Sequence, residues 1–271
     1  SSLVGVQKMR INNHLSVLFF LLFQVFYAIP VAPDAAPEYS YDESTGKGPS
    51  KWGSLKPDWA ACGNGQMQTP VSISFGDAVA QPKLEIIITN YTTVAASAVI
   101  GTHGVKIAIK EEGGGVTIDG TYYKLVQFHW HWGSEHAFNG KTTVLELHLV
   151  HQTPSAKTAV IGILYKIGHH DRILTELIPK IKDLTAGEKN IGEIDPRIIR
   201  IDRGNYYRYM GSFTTPPCTE GVTWTVIKKI SEASQAQVDE LKRLSPDKFG
   251  STARPLQPLN GRVINSFHTI F

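Results

Sequence analysis

A chain of 271 residues with 42% hydrophobic and 19% charged residues can bury a substantial core, either as one large domain or as two small ones. Its formal net charge of +3 is small, and the basic residues are scattered without an aromatic-interleaved patch or a Lys/Arg run, which argues against a nucleic-acid partner. The two cysteines, Cys62 and Cys218, are far apart and form no Cys-x-x-Cys pair, so neither a zinc ribbon nor a thioredoxin-like centre is available.

In chain order, Lys8 and Arg10 precede an apolar run from Leu15 to Phe23 that ends near Ala28, the pattern of a secretory signal peptide over 9–28 beginning at Met9. Gln24 interrupts the run short of the roughly 20 apolar residues needed to span a bilayer, so no membrane association is expected after cleavage. Residues 1–8 are then upstream or remnant sequence. Residues 29–47, rich in Pro, Ala, Asp, Glu and Ser, read as a flexible mature N-terminus, and 48–271 as one domain without an internal linker. An oxidising compartment favours a structural disulfide; two buried free thiols are the other reading of the cysteine count. Asn90-Tyr91-Thr92 is an N-glycosylation sequon.

Strand patterns recur at 84–89, 105–110, 116–118, 122–132, 143–151, 159–167 and 222–230, with turn residues between most of them. Alternation from His103 to Lys110 indicates one apolar and one wetter face, whereas the unbroken apolar run at 159–164 indicates burial on both faces. Helical periodicity is weak over 171–184, where Pro179 interrupts it. It is clearer after Ser234, which with Gln237 resembles a capping box ahead of a Val238, Leu241, Leu244 stripe. The pattern is that of a β-rich domain with short peripheral helices.

The chemistry-bearing segment is His129-Trp130-His131, followed after a loop by Glu146-Leu147-His148. Successive side chains of a strand point to opposite faces, so Gln127, His129 and His131 share one face while Phe128, Trp130 and Trp132 share the other. The same parity sets Glu146, His148 and Val150 against Leu145, Leu147 and Leu149. A single histidine on a strand is usually a hydrogen-bonded core residue; three of matching parity make a set of zinc ligands. Three imidazoles leave one tetrahedral position open, the mark of a catalytic site, since structural sites close their coordination. Glu146 and Gln127 are placed to accept the second ring protons of His148 and His129.

Together with Gly211-Ser212-Phe213-Thr214-Thr215-Pro216-Pro217-Cys218, these segments resemble the α-class carbonic anhydrases, including secreted plant-type members. The resemblance extends from about Gly48 to the C-terminus through Trp52-Gly53, Ser134-Glu135-His136 and Arg254-Pro255-Leu256-Gln257-Pro258. It implies a mainly β (α+β) fold around a central, twisted, mostly antiparallel sheet of about ten strands. It implies a zinc enzyme, carbonate dehydratase, that hydrates carbon dioxide reversibly to bicarbonate and a proton, with esterase activity as a side reaction. It also implies individual roles. Thr214 orients the nucleophile and donates its own proton to Glu135; Val150, Val160, Phe213, Thr215, Val222 and Trp224 line the substrate pocket; His103 relays protons; and Cys62 pairs with Cys218. Phe213 is bulkier than the Leu of many relatives. Ser54 stands where many carry a Tyr that orders water, Gly101 replaces a common Asn, and Lys106 and Thr252 occupy rim positions that are often Asn. His14, His136, His151, His169, His170 and His268 are assigned to structure or solvent. The competing reading is a non-catalytic binding or storage protein on the same scaffold; such relatives typically lose a zinc histidine, and none is lost here. Oligomeric state has no signature in the sequence.

Overall fold

Ten hydrogen-bonded strands follow one another across the main sheet of the computed structural model, which describes residues 38–101, 104–245 and 250–269. In chain order they are β1 (Val79–Ala80), β2 (Val94–Gly101), β3 (Gly104–Ile109), β4 (Thr121–Trp132), β5 (Leu145–Gln152), β6 (Thr158–Ile167), β7 (Gly187–Ile194), β8 (Asn205–Ser212), β9 (Glu220–Ile227) and β10 (Asn265–His268). Their spatial order is β7-β2-β3-β4-β5-β6-β9-β8-β10-β1. Branches at Ile88–Thr89, Gly115–Ile118 and Ser231–Ala233 bring the sheet to 13 strands among the described residues. Neighbours along the path are antiparallel except β6 with β9 and β10 with β1. A separate parallel pair joins Ser72–Ile73 to Ala137–Phe138.

The alternation read in β4 and β5 sorts side chains between two apolar clusters. Phe128, Trp130, Trp132, Leu145, Leu147 and Leu149 lie in the larger, with Ile161 and Ile163 of β6. Val150 and Val160 lie in the other, with Val222, Trp224 and Val226 of β9. The unbroken apolar stretch of β6 thus feeds both faces. Strands β2, β7 and β8 have no counterpart in the sequence patterns: β2 is built largely of Ala, Ser and Gly, β7 is a polar edge strand, and β8 carries a buried Arg208 among tyrosines. The segment expected over 84–89 pairs only at Ile88–Thr89.

Two helices cover the larger cluster. One, Arg172–Ile181, is capped by the Asp171 carboxylate, which accepts from the Leu174 N–H at 3.0 Å, and buries Ile173, Leu174, Leu177 and Ile181. Pro179 does not interrupt it. The proline lies in the last turn, and the ladder resumes with Lys182 N–H donating to the Ile178 carbonyl at 2.9 Å. The other, Gln235–Arg243, opens on the complete Ser234–Gln237 capping box and buries Val238 and Leu241.

The flexible leader expected over 29–47 needs correction in its described part. The Trp52 indole N–H donates to the carbonyls of Ser40 and Lys47, both at 3.0 Å, and Tyr39 packs edge-on against Trp52 and Trp59 at 5.2 and 6.0 Å between centroids. The 38–47 segment is therefore part of the domain: aromatic burial and two satisfied carbonyls offset the entropy of ordering it. The same cluster contains the Cys62–Cys218 disulfide, which closes 156 residues of sequence separation. Residues 9–28, the expected signal peptide, lie outside the described residues.

His151, assigned to structure, is fully buried: its Nε2 meets the Tyr91 hydroxyl at 2.8 Å and its Nδ1 meets the Ala159 carbonyl at 3.3 Å. Burial pushes its pKa down to about 4. An unfolded imidazole titrates near 6.5. Between these values the unfolded chain takes up a proton that the folded chain refuses, so stability falls as pH falls through that window. In urea unfolding of metal-free protein at pH 7 and 4.5, wild type should lose about 2–3 kcal/mol more stability than His151→Gln. Equal losses would refute the assignment.

Candidate metal centre

The site is set by register. His129 and His131 are two residues apart on β4, and His148 on β5 lies directly opposite His129. Directly opposed residues share a face and have Cβ atoms about 5 Å apart, so the three rings converge. Their centroids are 5.0, 5.3 and 4.7 Å apart, and the candidate ligand atoms all lie within 4.8 Å of one another.

Each ring is anchored through one nitrogen. His129 Nδ1 donates to Gln127 Oε1 at 2.8 Å, His131 Nδ1 to the Thr252 carbonyl at 2.7 Å, and His148 Nε2 to Glu146 Oε1 at 2.9 Å. Carbonyl and carboxylate oxygens only accept, so the anchored nitrogens carry the protons. The other three, Nε2 of His129, Nε2 of His131 and Nδ1 of His148, are left as lone-pair donors. Burial, reinforced by the neighbouring imidazoles, pushes His129 well below its ordinary pKa; burial likewise lowers His131. Both are therefore neutral at pH 7, the state that binds a cation. His131 Nε2 is buried with no hydrogen-bond partner, an orphaned acceptor that a divalent ion would satisfy. The donor set fits zinc: three imidazoles, with no fourth protein ligand in the described cluster.

Behind the rings, Glu146 organises a second layer. Burial alone would raise its carboxyl, but the adjacent His136 and His148 hold it well below the usual carboxylate range. Its Oε2 accepts from the His136 N–H and its Oε1 from His136 Nδ1, both at 2.7 Å, while His136 Nε2 meets the Tyr209 hydroxyl at 2.7 Å. His136, Glu146 and His148 also converge closely enough to hold an ion, yet these hydrogen bonds already occupy the facing atoms. Gly162 of β6 lies opposite His148, and a Cβ there would come within 2.9 Å of Glu146 Oε1.

Glu135 is buried beside the free nitrogens. Its Oε1 accepts from the Arg254 N–H at 2.9 Å, while its Oε2 lies 3.4 Å from His131 Nε2 and 3.9 Å from His148 Nδ1. That Oε2 has no hydrogen-bond partner. The Arg254 amide fixes the carboxylate, which turns its second oxygen toward the imidazoles. Thr214 is buried on the β8–β9 loop, and the neighbouring Thr215 side chain hydrogen-bonds Tyr39. Val150, Val160, Val222 and Trp224 form one apolar cluster, with Phe213 packed against it and Trp224 edge-on to His148 at 4.8 Å.

Some expectations fall elsewhere. His103 lies outside the described residues. Ser54 is exposed, its hydroxyl donating to the Lys51 carbonyl at 2.8 Å in a helical turn; the tyrosine that reaches the site is Tyr39. Thr252 is buried and contributes its backbone carbonyl rather than a rim side chain. Asn90 is exposed, its Oδ1 accepting from the Gly115 N–H at 2.8 Å. Sequence reasoning assigned no site role to His136, Tyr39 or the Thr252 carbonyl; only the Ser134-Glu135-His136 match pointed toward the first.

Comparison with known proteins agrees with this geometry. The family model for eukaryotic-type carbonic anhydrase matches residues 47–268. Alpha carbonic anhydrase 7 of Arabidopsis thaliana is 36% identical over 270 residues, covering 95% of this chain and 98% of that protein. A crystal structure of dioscorin complexed with ascorbate superposes with a TM-score of 0.84 at 38% identity, covering 86% of this chain and 99% of the other. The α-carbonic anhydrase of Thermovibrio ammonificans, solved with the inhibitor sulfanilamide, gives a TM-score of 0.76 at 34% identity, with 85% and 100% covered.

Gly162→Ala should push Glu146 off His148 and weaken zinc affinity about tenfold in competition with a chelating dye, the scale on which groups behind metal ligands act. An unchanged affinity would show that Glu146 does not position the ligand.

Proposed function

We propose that this chain, which belongs to the eukaryotic-type carbonic anhydrase family, is a zinc-dependent enzyme that reversibly hydrates carbon dioxide to bicarbonate and a proton. The observation that carries this reading is the convergence of three imidazoles, each anchored through one nitrogen, with candidate ligand atoms within 4.8 Å of one another beside a buried apolar cluster. His129, His131 and His148 would hold the ion. When bound, zinc supplies a Lewis acid that turns water into a nucleophile near neutral pH, an effect for which carbonic anhydrases are the standard example.

The protein's own residues do the rest. Gln127, Glu146 and the Thr252 carbonyl fix the ring tautomers, so the ion meets preformed lone pairs rather than mobile side chains. Val150, Val160, Phe213, Val222 and Trp224 offer an apolar surface that suits a small, neutral, weakly polar substrate and excludes bulk water. Thr214 orients the attacking oxygen, and Thr215 is held by Tyr39 at the pocket edge. Addition of hydroxide to carbon dioxide gives bicarbonate, and the proton left by water passes to solvent through His103, in the role that the family resemblance implies.

The dioscorin likeness favours a second reading, a non-catalytic protein that binds or stores a small molecule in this cavity. The intact three-histidine set supports the enzymatic one. Secretion is part of the proposal: the bridged cysteines suit an oxidising compartment, and the exposed Asn90 sequon is accessible to glycosylation. Among the described residues no helix is long and apolar enough to cross a membrane.

Stopped-flow hydration assays and elemental analysis should give about one zinc per chain in wild type, and for His131→Ala at least about a hundredfold less activity with metal lost. Zinc-loaded wild type without activity would leave the binding reading in its place.

A further inference from the structure

The sheet register places a cation on the wall of the site. Lys106 of β3 lies directly opposite His129 of β4, so its side chain leaves the sheet on the imidazole face. It is exposed, and its charge acts on His129, where it is among the causes that lower that ring's pKa. On the far side, the row continues through Val99 to Glu188, which is the carboxylate that faces Lys106. Glu188 is already engaged by Lys110. Among the described residues no carboxylate forms an ion pair with Lys106, and Glu188 acts on it only through space, so an ammonium group stands beside the candidate ligands without a direct counter-ion.

The proposed reaction interconverts a neutral molecule and a monoanion, and a fixed cation distinguishes between them. Carbon dioxide gains nothing from Lys106, whereas bicarbonate is attracted by it. On the apolar side of the pocket Val150, Val160 and Trp224 provide no such discrimination. We propose that Lys106 is a specificity-determining residue that holds small carboxylate-like anions, bicarbonate above all, at the polar wall of the site beside His129. This rests on the enzymatic reading for the identity of its natural anion, but not for the binding itself. Two unit charges about 8 Å apart in a half-solvated cleft give roughly a fivefold effect on affinity, and the effect weakens as added salt shortens the screening length.

Acetate, an unreactive carboxylate, provides the test by calorimetry on the full zinc-loaded chain at low ionic strength. Lys106→Gln should raise the acetate Kd about fivefold, Lys106→Arg should stay within twofold of wild type, and Lys242→Gln, an exposed lysine on the helix that covers the larger apolar cluster, should leave it unchanged. An acetate Kd in Lys106→Gln equal to wild type would overturn the proposal. So would an equal loss in Lys242→Gln, which would reduce the effect to general surface charge. Binding is read without turnover, so a protein that binds acetate through Lys106 yet fails to hydrate carbon dioxide refutes only the enzymatic reading.

Discussion

Everything at this site depends on the two-residue period of two adjacent antiparallel strands. Because β4 and β5 pair with His129 opposite His148, three imidazoles meet without any loop having to be ordered for the purpose. The back face of the same strands carries Phe128, Trp130, Leu147 and Leu149 in the larger apolar cluster. Slipping either strand by one residue would bury the histidines among those side chains and turn the leucines outward. Core and metal centre are thus specified by one register, so the stability of the fold enforces the geometry of the site.

Convergence alone does not make a ligand set; each ring must also present a bare nitrogen. That is achieved by three different acceptors, a side-chain amide at Gln127, a carboxylate at Glu146 and a backbone carbonyl at Thr252. Glu146 is the most constrained of these. It accepts from two histidines and a backbone amide while fully buried, and Gly162 leaves it the space to do so. Glu135 completes the polar lining, with one oxygen held by the Arg254 amide and the other facing the free nitrogens. A buried carboxylate with an unfilled acceptor is costly in isolation, and its place beside the lone pairs gives that cost a chemical purpose.

The three-histidine cluster was legible because its signal is local: two residues along one strand, and a Glu-x-His on the next. The disulfide became legible only through family resemblance, and so did the proposed pocket role of Val150, Val160 and Val222, which pattern alone cannot distinguish from ordinary core. What stayed hidden was long-range or without a side-chain signature. The Thr252 carbonyl reaches His131 from 121 residues away, and any residue could supply it. Tyr39 belongs to a segment whose composition resembles a disordered tail, and only its packing against Trp52 and Trp59 brings it to Thr215. Strand β7 is polar because it is an edge, where charged side chains blunt further pairing.

The most direct measurement of the central claim is crystallography of the zinc-loaded protein with anomalous data at the zinc edge. One ion should be found bonded to His129 Nε2, His131 Nε2 and His148 Nδ1, with its fourth position taken by solvent. An ion held by other residues, bound to His148 through Nε2, or closed off by a fourth protein ligand would contradict the account.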